Sequence, residues 1–372
     1  MPAGDETLVL YSRLAFYPVH WFALEELAAR YRVRAVVLAA PAPQLASVHG
    51  AHGTAGQDGG AAGIEVRRMP PGSRWERVAW LARQLRSLRP DAVWVQEEPI
   101  DPFLLEILAL HRFRPRPRIV AAVCENIFPP PRNPVERALR RALWPRLDGL
   151  VAVAGPSLEG IRAAGMPSFV PARTLVAGGL EPPAQVERRL LPFAPSAFVV
   201  GFAGRVVEEK GWRVLARALD KLPDEFRLAV AGDGPDLPAL EAALGARVHV
   251  AGLLPKQQLW GFYAALDCLA VPSLTRPRWK EQLGGTILDG LAMGLPVVAS
   301  ASGGIPDALG EAGLLVPEGD AAALAQALRR LRSDAGLRGR LAAAGRERFR
   351  REFAVRAYAD KLAASLSLRP RG

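Results

Sequence analysis

The stretch WKEQLGGTILDG, residues 279–290, sets one carboxylate, Glu281, eight positions before another, Asp289, with Gly284 and Gly285 between them. The strand-like run CLAVPS ends upstream, SLTRPRWKEQL reads as loop, and GGTILDGLAMG reads as a helix with an apolar face. The two glycines then fall at a helix N-terminus, where unpaired N–H groups and the helix dipole favour phosphate. Glu281 lies in the loop before that helix. Asp289 lies about one turn in, and its side chain leans back toward the N-terminus. A diphosphate joining two polyols suits this layout, with one acid accepting hydroxyls on each side. Each acid also has a plainer use: Asp289 as compensation for the helix dipole, Glu281 as a solvated loop acid.

A second constellation lies in FVVGFAGRVVEEKGW. A strand ends at Ala203 and meets Gly204, Arg205, Lys210 and Gly211 before the next helix. A strand-to-helix turn at the carboxyl end of a parallel sheet is where anions bind, because glycine lets the backbone approach and cations supply charge. The pattern is neither GxGxxG nor a P-loop. Surface cations at a helix start are the plainer reading.

The elements that must position these groups follow one rhythm: a short β-branched run, a turn, then an amphipathic stretch, which argues for parallel βαβ units. Strands are expected at TLVLYS, VRAVVLAA, IEVRRM, AVWVQ, RIVAAV and LVAVAG, then at FVVGFAG, RLAVAGDG, RVHVAG, CLAVPS, PVVAS and GLLVP. Helices are expected at HWFALEELAARY and SRWERVAWLARQLRSL in the first half, and at WRVLARALDKL, LPALEAAL, KQQLWGFYAAL and DAAALAQALRRLRS in the second. The proline-rich segment 181–197 reads as a linker between an N-terminal domain, 1–180, and a C-terminal domain, 198–355, with a helical tail at 356–372 packing back on the first. The small, polar insert 41–63 cannot form a core; it reads as a surface loop or as a lid over the ligand side of the sheet.

Composition removes several function classes. The 372 residues contain two cysteines, Cys124 and Cys268, which excludes a disulfide framework and a cysteine-rich zinc module and fits a reducing, cytoplasmic setting. No apolar run reaches the ~18 residues of a membrane span, and the polar N-terminus does not read as a signal peptide. The net charge of +11 comes from arginines spread along the chain without interleaved aromatics, so nucleic acid is not the expected partner; anionic small molecules and lipid surfaces fit it. The five histidines show no metal-ligand spacing.

Taken together, the second-half motifs resemble the nucleotide-binding domain of GT-B glycosyltransferases of family 4. The resemblance runs from FAGRVVEEKG through LAVAGDGP and VHVAGLL to VPSLTRPRWKEQLGGTILDGLAMGLPVVASASGGIPDALGEAGLLVP, most of residues 198–330. It covers the first half more loosely, in CENIFPPPRNPVERALRRALWPRLDGLVAVAGPS. It implies an α/β chain of two facing Rossmann-like doubly wound domains with a nucleotide sugar in the cleft between them. Glu281 would accept hydroxyls of the donor sugar, and Asp289 would take the nucleotide ribose, where the family carries a glutamate about one methylene longer. Arg205 and Lys210 would hold the diphosphate. Gly204 belongs to the same turn, and the N–H groups of Gly284, Gly285 and Thr286 would meet phosphate. Leu254, after Gly252, would give a backbone contact to the base. No carboxylate follows there to accept a guanine edge, which leans toward a UDP-sugar.

The resemblance implies retaining transfer with no cofactor beyond the donor, and the chain has no aspartate-x-aspartate pair for a divalent metal. Arg205, Lys210 and Glu281 carry the chemistry in this reading. The first domain would choose a glycan, lipid-linked or small-molecule acceptor; its first loop, SRLAFYPVHW, lacks the glycine pair of many family members, and Glu125 and Asn126, after a middle strand, are the candidate contacts. Glu125 could equally be a loop acid paired with an arginine. The basic stretch 112–146 offers a peripheral contact with anionic membrane, or solvated arginines on an ordinary helix. A nucleotide-sugar epimerase and a non-catalytic nucleotide-sugar-binding protein are the alternatives.

Overall fold

The computed structural model describes residues 5–12, 18–39, 64–96, 98–99 and 116–371. The insert 41–63, most of the first loop and residues 112–115 of the basic stretch lie outside the described residues. Two compact units form: one from the described residues up to Gly178 together with Val355 onward, the other from Gly179–Ala354.

The first unit carries a parallel sheet of strands β1 (Glu6–Ser12), β2 (Val33–Ala39), β3 (Glu65–Arg68), β4 (Ala92–Val95), β5 (Arg118–Val123), β6 (Gly149–Ala152) and β7 (Ala172–Arg173). Their order is β3-β2-β1-β4-β5-β6-β7. Six of these strands were expected from their β-branched runs; β7, only two residues long, has no run to read. Helices α1 (Pro18–Arg30), α2 (Arg74–Leu88), α3 (Pro134–Leu143) and α4 (Gly155–Ala163) alternate with the strands. Ser73 starts α2 with a capping box: its hydroxyl accepts from Glu76 N–H, and the Glu76 carboxylate accepts from Ser73 N–H at 2.6 Å.

In the second unit, strands β8 (Phe198–Ala203), β9 (Phe226–Ala231), β10 (Val248–Gly252), β11 (Cys268–Val271), β12 (Val297–Ser300) and β13 (Leu314–Val316) all run parallel, in the order β10-β9-β8-β11-β12-β13. This is the doubly wound order in which the sequence of strand addition reverses between β8 and β11, the place where such sheets bind ligands. The helices are α5 (Trp212–Leu219), α6 (Leu237–Leu244), α7 (Lys256–Tyr263), α8 (Gly285–Met293), α9 (Ile305–Leu309), α10 (Ala321–Ser333) and α11 (Ala335–Glu352). One face of α5 buries Trp212, Val214, Leu215, Ala218 and Leu219 with Phe198, Phe226 and Leu228 of the sheet. Each large apolar side chain so buried contributes about 1.5–3 kcal/mol, which pins the helix over the start of the sheet.

The segment expected as the linker, 181–197, packs with the second unit. Arg189 N–H donates to Gly261 O at 3.0 Å, and a Cβ on Gly261 would fall 2.6 Å from the Glu187 carbonyl, so a glycine in α7 lets the segment lie close. The last helix, α12 (Val355–Leu366), belongs to the first unit. Its apolar face buries Tyr358, Ala359, Leu362 and Leu366 with Trp21 and Leu24 of α1. The Tyr358 hydroxyl lies 3.1 Å from His20 Nδ1, and Asp360 pairs with Arg30 and accepts the Tyr31 hydroxyl at 2.8 Å. Burial among these groups holds His20 down to about 4, so its ring is neutral at pH 7. Among the described residues no helix is long and apolar enough to cross a membrane.

Candidate functional site

The loops leaving β8 and β11 meet at the carboxyl end of the second sheet. After β8 the chain passes Gly204 and Arg205, makes a short turn over Glu208–Lys210, and enters α5 through Gly211. Gly211 has φ +74°, and a Cβ there would lie 1.8 Å from the Pro272 carbonyl just after β11. Only glycine permits both that conformation and that approach. The two loops are joined further by Leu274 N–H donating to Glu209 O at 2.8 Å, and by Arg276 pairing with Glu208 at 2.6 Å.

That junction delivers Lys210 to Glu281. Lys210 Nζ donates to Glu281 Oε2 at 2.8 Å, and the same oxygen accepts the Ser273 hydroxyl at 2.8 Å. Glu281 is buried at 6 % exposure, while the Lys210 side chain keeps 30 %. The Lys210 ammonium also lies 4.9 Å from the ring centre of Trp279, a cation–π contact. The Glu281 backbone is fixed from the other side: Gly304 N–H donates to its carbonyl at 3.0 Å, and Gly303, at φ +55°, packs against the same carbonyl. Thr275 binds Glu318 through both its N–H, at 2.8 Å, and its hydroxyl, at 2.7 Å, tying the 274–280 loop to the end of β13.

Helix α8 begins four residues after Glu281. Gly284 is its N-cap at φ +78°, with no side-chain cap bond, and a Cβ built on Gly285 would meet nothing within 4 Å. Gly285 is exposed and Thr286 half-buried, so the first turn of the helix opens outward with its N–H groups leading.

Asp289 stands deeper, at 8 % exposure, in different company. Its Oδ1 is ion-paired with Lys256 Nζ, and its Oδ2 accepts the hydroxyl of buried Tyr263 at 3.2 Å. Burial, then the charge and hydrogen bond of Asp289, hold the Tyr263 proton well above the ordinary range. The two acids therefore do not share one set of cations: each has its own lysine. Helix-dipole compensation alone does not describe Asp289.

Of the other expected residues, Gly204 has φ +128° with open space where a side chain would go, and Arg205 is exposed. Lys210 has Glu281 and Trp279 as partners. Leu254 is half-buried in the turn between β10 and α7, two residues before Lys256. In the first unit, Glu125 is exposed and its N–H donates to Glu98 Oε1 at 2.9 Å, beside Cys124 N–H at 2.7 Å. Asn126 Oδ1 accepts the hydroxyl of buried Ser157 at 2.6 Å. Among the described residues no three His, Cys, Asp or Glu side chains gather as a metal-ligand set.

Sequence reasoning passed over Ser273, Lys256, Tyr263 and Trp279. Ser273 had a usable signal, since it lies two residues past the end of a strand at the switch point. Lys256 and Tyr263 had none beyond their places on a helix, as their contact with Asp289 spans 33 and 26 positions.

Comparison with known proteins agrees with this geometry. Residues 197–334, within the second unit, match the family described as glycosyl transferases group 1. Over 186 residues the chain is 35 % identical to 2-deoxystreptamine glucosyltransferase of Streptomyces kanamyceticus, covering 46 % of this chain and 47 % of the relative. Over 203 residues it is 37 % identical to D-inositol 3-phosphate glycosyltransferase of Salinispora tropica, covering 49 % and 41 %. The chain thus spans about half the length, or less, of these relatives. Among solved structures, Anabaena HepE in complex with UDP superposes with a TM-score of 0.70 at 19 % identity, over 97 % of this chain and 99 % of that one. Sucrose-phosphate synthase from Thermosynechococcus elongatus gives 0.71 at 20 %, over 97 % and 98 %. The fold is that of the GT-B glycosyltransferases, with two Rossmann-like α/β units.

Proposed function

We propose that this chain, whose second unit carries the match to group 1 glycosyl transferases, is a retaining, metal-independent glycosyltransferase. It takes a sugar from a nucleotide-sugar donor and passes it to a glycan, lipid-linked or small-molecule acceptor. The observation that carries the reading is the Lys210–Glu281–Ser273 cluster, set at the sheet's switch point beside a helix N-terminus opened by two glycines.

The chemistry follows from charge. Cleaving the glycosyl–phosphate bond builds negative charge on the leaving diphosphate and positive character on the sugar. In this reading Lys210, Arg205 and the N–H groups of Gly284, Gly285 and Thr286 stabilise the first, in the manner of an oxyanion site. Glu281, held by Ser273, accepts hydroxyls of the sugar and orients it. Lys210 pairs with Glu281, so a phosphate binding there exchanges one anionic partner of the lysine for another. Glu125 and Asn126 are the acceptor-side candidates.

A UDP-sugar is the favoured donor, supported by the uridine nucleotide held by HepE. Two cyclitol glycosyltransferases among the relatives keep a small polyol acceptor in view. Peripheral contact with anionic lipid through 112–146 is supported by exposed Val135, at 68 %, and Leu139, at 37 %, on a helix that also exposes Arg137 and Arg141. Sedimentation with anionic vesicles tests it; binding unchanged in a V135D/L139D variant refutes it.

The deciding experiment is a thermal-shift screen against UDP-, GDP-, TDP- and ADP-sugars, followed by product analysis with and without acceptor. Stabilisation by one donor and acceptor-dependent sugar transfer are expected. Conversion of the donor without acceptor would instead identify an epimerase, and binding with no turnover a sensor.

A further inference from the structure

The loop that carries Glu281 also brings a second group to Lys210. Residues 274–279 lie along the short turn Glu208–Lys210 and meet each of its residues in order. Leu274 N–H donates to the Glu209 carbonyl at 2.8 Å, Arg276 pairs with Glu208 at 2.6 Å, and the Trp279 ring centre lies 4.9 Å from the Lys210 ammonium. The loop closes on itself there: Arg276 N–H donates to Trp279 O at 2.7 Å, and Trp279 N–H donates to Arg276 O at 3.1 Å. Thr275 is tied to Glu318. The half-buried indole is thus fixed through the backbone, two positions before the carboxylate. Lysine itself has a flexible four-carbon stem and three donors. Nothing in that stem decides where the ammonium goes once Glu281 releases it.

We propose that Trp279 is a positioning residue: its indole face keeps the Lys210 ammonium at the site while the lysine exchanges Glu281 for a phosphate of the donor. This rests on the reading of the second unit as a nucleotide-sugar site. An aromatic face attracts a cation through its quadrupole. It takes none of the ammonium's N–H donors and brings no net charge. Unlike a second carboxylate, it therefore does not compete with phosphate for the lysine, and its attraction persists whichever anion holds the ammonium. Arg276 meanwhile engages Glu208, an acid of the same turn that would otherwise attract the ammonium. The loop so supplies Lys210 with one partner that leaves, Glu281, and one that stays, Trp279. Trp279 acts on the reaction through Lys210, and its loss is felt where the lysine meets phosphate. Leucine at 279 keeps an apolar side chain and removes the ring face; phenylalanine keeps the ring.

The test is titration calorimetry with UDP, GDP and ADP. It compares the wild-type chain, W279L, W279Q and W279F, and the charge-free pair K210M/E281Q with and without W279L. The ring-free variants W279L and W279Q should weaken the nucleotide that binds by roughly tenfold, between the exposed and the desolvated scale of a cation–π contact. W279F should lose no more than about threefold. K210M/E281Q removes both charges and leaves no unpaired buried carboxylate. In that background, adding W279L should change affinity by less than about twofold, because the group it acts through is gone. A tryptophan that merely supports the loop would weaken both backgrounds alike. Wild-type affinity in both ring-free variants, a W279F as weak as W279L, or an equal loss in the charge-free background each overturns the proposal while the wild type still binds nucleotide. A wild type that binds none of the three overturns the nucleotide-sugar reading beneath it, and this inference with it.

Discussion

The second unit holds two carboxylate–lysine pairs whose acids are eight residues apart, and they are mounted in opposite ways. Glu281 and Lys210 stand on loops leaving adjacent strands, joined by backbone contacts that only glycine allows at positions 211 and 303. Asp289 and Lys256 stand on two helices, and their meeting is arranged by side chains, with Tyr263 and Trp260 completing the nest. The first pair has a lysine that keeps 30 % of its surface, beside an open helix terminus; the second lysine keeps 17 %. The lesson is that equal charges at similar spacing do different work according to what holds them. A cation on a glycine-backed loop can change partners when an anion arrives. Lys256, which like Lys210 faces an indole and a buried carboxylate, stands on a helix and keeps less of its surface.

Breaking the first pair should cost most. K210A and E281A are expected to lower sugar transfer at least about 100-fold, the scale of losing a preorganised charge-stabilising donor. Circular dichroism should stay native, and near-normal rates in both variants would refute the assignment. The mounting comes next. G211A must place a Cβ against the Pro272 carbonyl at positive φ, so denaturant unfolding should show a loss of about 2 kcal/mol or more, beyond the 1–2 kcal/mol of the left-handed conformation alone. A loss below about 0.5 kcal/mol would mean that the loops separate readily.

The second pair should prove more tolerant. Y263F removes one hydrogen bond to Asp289 and leaves the ion pair, so about 1 kcal/mol of stability should go, with transfer at saturating donor within threefold. A Y263F defect as large as that of K210A would erase the distinction between the pairs. The smallest expected effect is that of a chelator: transfer unchanged in excess EDTA, with cations of the protein stabilising the diphosphate. Loss of activity restored by magnesium or manganese would show that Lys210 and Arg205 do not suffice.

Much of this was legible beforehand, for a physical reason that particular residues make plain. In the second sheet β8, β9, β11 and β12 are short apolar runs buried along most of their length, and such runs announce themselves in any window, while the edge strands β10 and β13 are only partly buried. Ser73 with Glu76, and Asp320 before α10, mark helix starts through contacts only two or three residues long. For the segment 181–197, proline and low periodicity describe a chain without regular structure, and say nothing of whether it packs. Its contact with Gly261 crosses more than 70 positions.

What the sequence by itself determined, then, is the local grammar: parallel βαβ alternation, a glycine-opened helix after Glu281, cations after β8, and two acids eight residues apart. What only the tertiary structure decided is the pairing. Lys210 lies 71 residues from Glu281, and Lys256 lies 33 from Asp289. The first pair meets because β8 and β11 are neighbours in the sheet, the second because α7 packs beside α8. Charge types and periodicity are properties of short segments. Which charges neutralise one another depends on distances of a few ångströms, set by the order of the strands and the packing of the helices.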